Sequence, residues 1–398
     1  MKWQVFALVL ALFVSSAIAP AFAMGIDVPG DSNGNKIVSA DEVAAAEKLA
    51  KDGKLSTDEL QELKHIHEKY PITIIDSANR TVTIYKPVKS ILPMSATNCE
   101  PIFILGAADK IGGMRTDLQE THAWIPGITD KPTIGGWKEI DYEKVIEICP
   151  DLVITGASDV SVVENKLSPA GILFVVSSRS RSQDSFDKDL RLLSKILEKE
   201  DRAEEFFSWR QYYLDQLKEK INKIEPKDKI KVYCESNIQA RSAATNASGA
   251  HWAIIAAGGE NIAGNIGKST YADVESEWIL KENPEAIVIA ATMLNDPPGS
   301  YLDFTQEEND TRNLDQYLEM TCNRTELRDT NAVKMHRVYL LHGTYADFGR
   351  CFVGACYMAK WFYPEIFQDL NPDEINKEYC EKWLGVPYKG IWAYPRAS

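Results

Sequence analysis

Glu143 and Glu277 each open a copy of one short pattern. The first copy reads EKVIEICPDLVI from Glu143 to Ile154, and the second reads EWILKENPEAIVI from Glu277 to Ile289. In both, the glutamate stands seven residues before a proline. An aliphatic pair follows the glutamate at the second and third positions, an acid follows the proline, and a run of aliphatics comes next. Two carboxylates can serve as general acid and base when they converge on one bond. Placed on duplicated pieces, they are instead held apart at equivalent positions. A mirrored pair of charges suits docking onto a partner that is itself two-fold symmetric.

A second group of candidate residues lies where strands give way to loops. SATNCE, TIGGWKE, SRSRS, CESNIQARSA and HGTYADFGR follow or flank predicted strands and carry Trp137, Arg179, Arg181, Arg241, His342, Tyr345 and Arg350, with Trp252 and Tyr271 nearby. Open α/β sheets bind ligands beyond the carboxyl ends of their strands. Aromatic walls with a few arginines suit a flat or bulky metal chelate bearing carboxylates. Bare zinc or manganese would need converging His and carboxylate ligands, and the six histidines are scattered. His342 is the one histidine placed to cap an iron or cobalt centre as an axial ligand. No GxSxG, HExxH, Walker loop or strand-following GxGxxG occurs, and HIHEKY spaces its histidines two apart on different helix faces. The chain is therefore read as a binding protein and not an enzyme, with no required cofactor. An extracellular hydrolase is the rival from another class.

The elements that position these residues follow from periodicity and punctuation. Asp141 or Ser276 would cap a short helix whose first turn holds the glutamate, where the helix dipole favours an acid. The proline ends that helix, and the aliphatic run enters a buried parallel strand. Ile72–Pro87 alternates as a β-hairpin with its turn at Ser77–Asn79, and strands then alternate with helices, which implies parallel sheets. Residues 186–224 carry only helical spacing. A second α/β stretch follows, interrupted by a polar insertion around 293–330. The boundaries are 1–23, 24–70, 71–185, 186–226 and 227–398. The middle and last of these are an N-terminal α/β lobe and a C-terminal α/β lobe, with connecting helices over 186–226.

The 398 residues carry a formal charge of −14 and are 44% hydrophobic, enough for a sizeable core. That charge disfavours a role on nucleic acid or an anionic membrane surface. Lys2, the apolar run Val5–Val14 and the small residues Ala21 and Ala23 read as a signal peptide over 1–23, whose apolar run is shorter than the about 20 residues of a membrane span. No cysteine follows the cut, so a lipid anchor is not indicated. A secreted protein is expected, periplasmic or on the outer face of the cytoplasmic membrane. Seven cysteines leave at least one unpaired. Buried thiols, with one or two bridges, are favoured over a metal site, and Cys149 and Cys234 sit among core-like residues.

Residues 31–42, DSNGNKIVSADE, resemble the calcium loop of EF-hands and dockerins. Asp31, Asn33, Asn35, Ile37 through its carbonyl, Ser39 and Glu42 fall on the ligand positions. Lys36 replaces the usual glycine and Asn35 an acid. Two amphipathic helices follow, at about 40–51 and 57–69.

From Ile72 to Leu384 the chain resembles the class III substrate-binding proteins of ABC importers, the siderophore, haem and cobalamin type. The resemblance is carried by DSANRTVTIYKPVKSIL, the two signature pieces, RAEEFFSWRQYYLDQLKEKI, AIIAAGGENIAG, AVKMHRVYLL and YPEIFQDLNP. It implies two Rossmann-like lobes joined by one long helix, about 202–223, and little movement on closure. It also implies that Glu143 and Glu277 meet arginines of a dimeric permease. The expected ligand is a ferric siderophore-type chelate, with a corrinoid second and haem third. Residues 24–70 and the insertion lie outside the family pattern. A further alternative makes 24–70 a dockerin-like tether to a cohesin-like surface protein.

Overall fold

The computed structural model describes residues 26–121, 125–136, 138–156, 160–178, 183–236, 240–291, 310–346 and 348–396. The signal segment, Trp137, Arg179 and Arg181 lie outside them. Helices α1 (Ala40–Lys51) and α2 (Thr57–Lys69) form the N-terminal hairpin. Each opens with a reciprocal serine–glutamate capping box, Ser39 with Glu42 and Ser56 with Glu59, which satisfies two orphan amides per helix. Val28, Val38, Ala46, Leu63 and Ile66 tie this hairpin into the main core. At its far end His65 and Tyr70 both bond Glu198, at 2.9 and 2.5 Å.

Strands β1 (Ile72–Ile75) and β2 (Thr81–Ile84) pair antiparallel with Ile72 opposite Ile84. Buried Asp76 closes their turn. It accepts from the amides of Ala78 and Arg80, takes the Arg80 guanidinium, and accepts the Val176 amide at 3.1 Å, fastening the hairpin to the next sheet. That sheet has the order β3 (Ile91–Pro93), β4 (Leu152–Gly156), β5 (Leu173–Ser177), all parallel. Its strands are buried on both faces. Ile91, Leu152, Ile154 and Val175 face the main core, while Leu92, Val153, Phe174 and Val176 pack with Val145, Val163 and Leu167. Helices α3 (Ala96–Ile104), α4 (Thr116–Thr121), α5 (Tyr142–Ile148) and α6 (Val160–Leu167) accompany this sheet.

Two helices join the lobes. α7 (Gln183–Leu197) ends at Glu198, whose φ of 55° turns the chain into α8 (Glu200–Ile221). With 22 residues α8 is about 33 Å long. Its inner face buries Ala203, Phe206, Phe207 and Leu217, as the sequence periodicity expects.

In the second lobe β6 (Lys231–Ser236), β7 (Ser242–Ala244), β8 (Glu260–Asn261), β9 (Tyr271–Asp273), β10 (Ala286–Ala291), β11 (Val338–His342) and β12 (Ala393–Tyr394) form one sheet, ordered β12-β11-β10-β6-β7-β9 with β8 on β6. β6, β10 and β11 are parallel; β7, β9 and β12 run antiparallel to their neighbours. Around it stand α9 (Gly249–Ala256), α10 (Ser276–Glu282), α11 (Arg312–Cys322), α12 (Asn331–Lys334), α13 (Cys351–Phe362) and α14 (Pro372–Glu378). α13 is buried along its whole length, with Lys360 satisfied by the carbonyls of Phe367 and Gln368. Among the described residues no helix is long and apolar enough to cross a membrane.

The lobes meet through an ion pair. Glu100 on α3 accepts from Arg350 Nε at 2.9 Å and from the Tyr379 hydroxyl, and both members of the pair are under one-tenth exposed. Nearby, Gly349 passes so close to Phe186 that a Cβ there would sit 2.3 Å from the ring.

Three expectations need correction. All seven cysteines carry free thiols, so no bridge forms. Cys149, the left-handed residue that ends α5, is exposed, whereas Cys234 is buried in β6. Ser276 is the first helical residue of α10 and not its cap. Glu275 holds the cap position without a side-chain bond.

Candidate functional site

The two signature pieces fold as the same unit. α5 and α10 are both seven residues long, and each ends on a left-handed residue, Cys149 (φ 50°) or Asn283 (φ 47°). The amide of that residue returns to the fourth carbonyl back, Cys149 to Val145 at 3.1 Å and Asn283 to Ile279 at 3.0 Å. Pro150 or Pro284 then prevents further helix. The acid after the proline has a structural task. Asp151 Oδ2 accepts the amides of Lys89 and Ser90 at 2.9 and 3.0 Å, and Glu285 Oε2 accepts the amide of Lys231 at 3.0 Å. Each acid thus ties its unit to the start of the neighbouring strand, β3 in one lobe and β6 in the other.

Glu143 and Glu277 are both the second residue of their helices and both exposed. Because each helix reverses directly into β4 or β10, its N-terminus lies at the carboxyl end of that strand. The glutamates therefore stand on the carboxyl rim of separate sheets, one per lobe. The two belong to different lobes, on helices beside different sheets.

The expected ligand residues fall into two sets. Arg241 is exposed at the start of β7; its amide donates to Glu235 and its guanidinium lies 3.8 Å from Glu275. Trp252 on α9 and Tyr271 on β9 are half-buried against the main core. His342, Tyr345 and Arg350 follow β11 into the interior. The Tyr345 hydroxyl donates to Asn376 at 2.6 Å, and Arg350 is held by Glu100. Arg350 is thus part of the lobe contact, Tyr345 is fully buried beside it, and neither is exposed. Burial opposes the charge on Arg350, but Glu100, Tyr345 and Tyr379 together raise its pKa. Burial and then Arg350 push His342 down to about 3. Its Nδ1 lies 2.8 Å from the Thr344 hydroxyl and 3.3 Å from the Thr344 amide, so that nitrogen is engaged within its own turn. His342 is buried in this turn, its ring edge-on to that of Trp392.

Sequence reasoning missed the polar supports under the rim. Asn98 donates to the Ile154 carbonyl at 3.1 Å and accepts from Ser177, spanning the ends of β4 and β5. Asp189 accepts the Ser178 amide and hydroxyl. Glu235, almost fully buried, gathers Arg324, the Tyr233 hydroxyl and the Arg241 amide. Arg324 comes from the end of the polar insertion, so a residue distant in sequence anchors the loop that bears Arg241. Only Glu235 carried a signal, as an acid directly after the run Val232–Cys234.

A cavity of about 320 Å³ lined by Tyr85, Lys86, Cys149 and Asp151 lies at the amino ends of β4 and β5. It is on the far side of the lobe from the rim and is not the cleft. The N-terminal loop is ordered by its own carboxylates. Asp31 accepts the amides of Asn33, Gly34, Asn35 and Lys36, and Glu42 reaches back to Ser32 and Ser39. Burial works the other way, but those serine donors hold the Glu42 carboxyl at about 2. Lys36 adopts φ 66°, making the turn that glycine makes in such loops.

Residues 102–345 match the model of a family described as periplasmic binding protein. The chain belongs to that family. Both signature units lie inside the matched region, and the N-terminal hairpin lies outside it. An uncharacterized ABC transporter substrate-binding lipoprotein, YvrC of Bacillus subtilis (strain 168), is 28% identical over 194 residues, covering 48% of this chain and 60% of the relative. The match thus spans less than two thirds of that relative's length. The petrobactin-binding protein YclQ of the same organism is 23% identical over 224 residues, 56% of this chain and 70% of the relative. Among solved structures, the TroA-like periplasmic binding protein FepB from Veillonella parvula superposes with a TM-score of 0.69 at 24% identity, over 82% of this chain and all of that one. The two-lobed α/β fold is shared with it.

Proposed function

We propose that this protein captures a metal chelate outside the cytoplasmic membrane and delivers it to the dimeric permease of an ABC importer. The observation that carries the proposal is the duplicated helix–proline–strand unit. It sets an exposed glutamate at one position of each lobe, as a partner built from two equivalent halves requires. Glu143 and Glu277 are the docking residues in this reading.

The ligand is proposed as a ferric siderophore-type complex first, a corrinoid second and haem third. Supporting this are Arg241 at the rim, the family's substrate-binding relatives, and one relative named for petrobactin. Trp137, Arg179 and Arg181 stay in the proposed contact set with Arg241, Trp252 and Tyr271. Tyr345 and Arg350 become supports of that surface. The tethered-dockerin and hydrolase readings are not carried forward. The N-terminal hairpin is packed onto the α/β body through Glu198 and the Lys89–Glu62 pair. Calcium in the loop of Asp31, Asn33, Asn35, Ile37, Ser39 and Glu42 is a separate proposal, resting on carboxylates already turned inward.

Native mass spectrometry of the purified protein with a panel of ferric chelates, corrinoids and haem tests the ligand class. One class should bind at one per chain. Failure with every member, together with turnover of some substrate, would overturn the binding-protein reading.

A further inference from the structure

The aliphatic pair inside each signature unit is split by the fold. Val145 and Ile279, two residues after the glutamates, are fully buried. Ile146 and Leu280, three residues after them, are 42% and 40% exposed. Single exposed aliphatics are ordinary on a protein surface. Here, however, two of them occupy the same position of the duplicated unit. On a helix, residues three apart are neighbours on one flank. Each lobe therefore presents the same two-part knob, a carboxylate at the helix tip and an apolar side chain one turn below it.

We propose that Ile146 and Leu280 are contact residues of the permease interface, each packing on an apolar surface beside the cation that takes the glutamate. This deepens the docking reading and rests on it. The partner's chemistry follows from the knob: two equivalent sites, each a basic side chain flanked by an apolar patch. The division of labour also follows. The exposed carboxylates steer and are screened by salt. The aliphatic contacts are insensitive to that screening and hold the complex once formed.

The test uses the labelled full-length protein and right-side-out membrane vesicles from cells that make it. Binding is measured at low and high salt. Ile146→Ser with Leu280→Ser should weaken binding roughly fivefold per site and about twentyfold together, at both salt concentrations. Glu143→Gln with Glu277→Gln should weaken it mainly at low salt. Ile146→Met with Leu280→Met, which keeps the apolar surface, should bind like the wild type, and melting temperatures confirm folding. Wild-type binding by the serine pair beside weak binding by the glutamine pair would overturn this inference and leave the docking reading standing. Wild-type binding by the glutamine pair at low salt would overturn the docking reading itself. An equal loss from Ile366→Ser, an aliphatic 40% exposed elsewhere, would show general adsorption and also overturn the inference.

Discussion

Replacing Glu100 by Gln should cost the fold about 3–5 kcal/mol. The side chains of Glu100 and Arg350 are 8% and 5% exposed, so neither charge can recover water when the other is lost. Arg350 Nε is 2.9 Å from Glu100 Oε1, and the Tyr379 hydroxyl donates to that same oxygen. In Glu100→Gln the tyrosine keeps a carbonyl, but the guanidinium loses the Glu100 charge in a ring of Tyr345, Tyr379 and Trp392. Those faces return only about 0.5–2 kcal/mol. Arg350→Met strands the carboxylate instead, with a similar loss. Removing both charges in Glu100→Leu with Arg350→Met should cost far less than the two single losses added, since a buried pair replaced by packed apolar groups is often close to neutral. Urea unfolding followed by tryptophan fluorescence reads this directly, because Trp209 and Trp383 pack within the same interface. Single variants that each lose under about 1 kcal/mol, or losses that add in the double variant, would refute the reasoning.

Three further outcomes follow from the same structure. His342 stays neutral in the fold down to about pH 3, whereas an unfolded histidine binds a proton below about 6.5. Stability should therefore fall as pH drops from 6.5 toward 3, by at most about 5 kcal/mol, and His342→Gln should flatten that part of the curve in pH-dependent melting. A Cβ on Gly354 would lie 2.0 Å from the Tyr345 carbonyl oxygen. Gly354→Ala should cost about 2–3 kcal/mol in urea unfolding, and a cost under 0.5 would mean the loop after β11 gives way freely. Calcium at roughly millimolar concentration should raise the melting temperature of the wild type but not of Asp31→Asn with Glu42→Gln, and an unchanged wild type would remove the calcium proposal.

Much of the scaffold was legible because its signals are local. The amphipathic spacing of the two N-terminal helices and the helical spacing through Phe206 and Leu217 each act over a turn or two of chain. The glutamate-to-proline interval read correctly for the same reason. What could not be read depends on residues distant in sequence. Nothing near Arg350 announces that Glu100 will consume it, and nothing near Arg241 announces the anchor at Arg324. Tyr345 and Arg350 lay in a loop leaving a strand, which resembles a ligand loop until tertiary packing turns it inward. Ser276 looked like a cap because serine commonly caps, but the helix starts one residue earlier than that role allows. Cys149 takes the left-handed position that ends its helix, which asparagine takes in the twin unit.

The most direct test of the account is charge reversal at both rims. Glu143→Arg with Glu277→Arg should abolish importer-dependent uptake of the chelate found by the native-mass panel, while the purified variant binds that chelate with wild-type affinity. Normal uptake by the double variant would contradict the account.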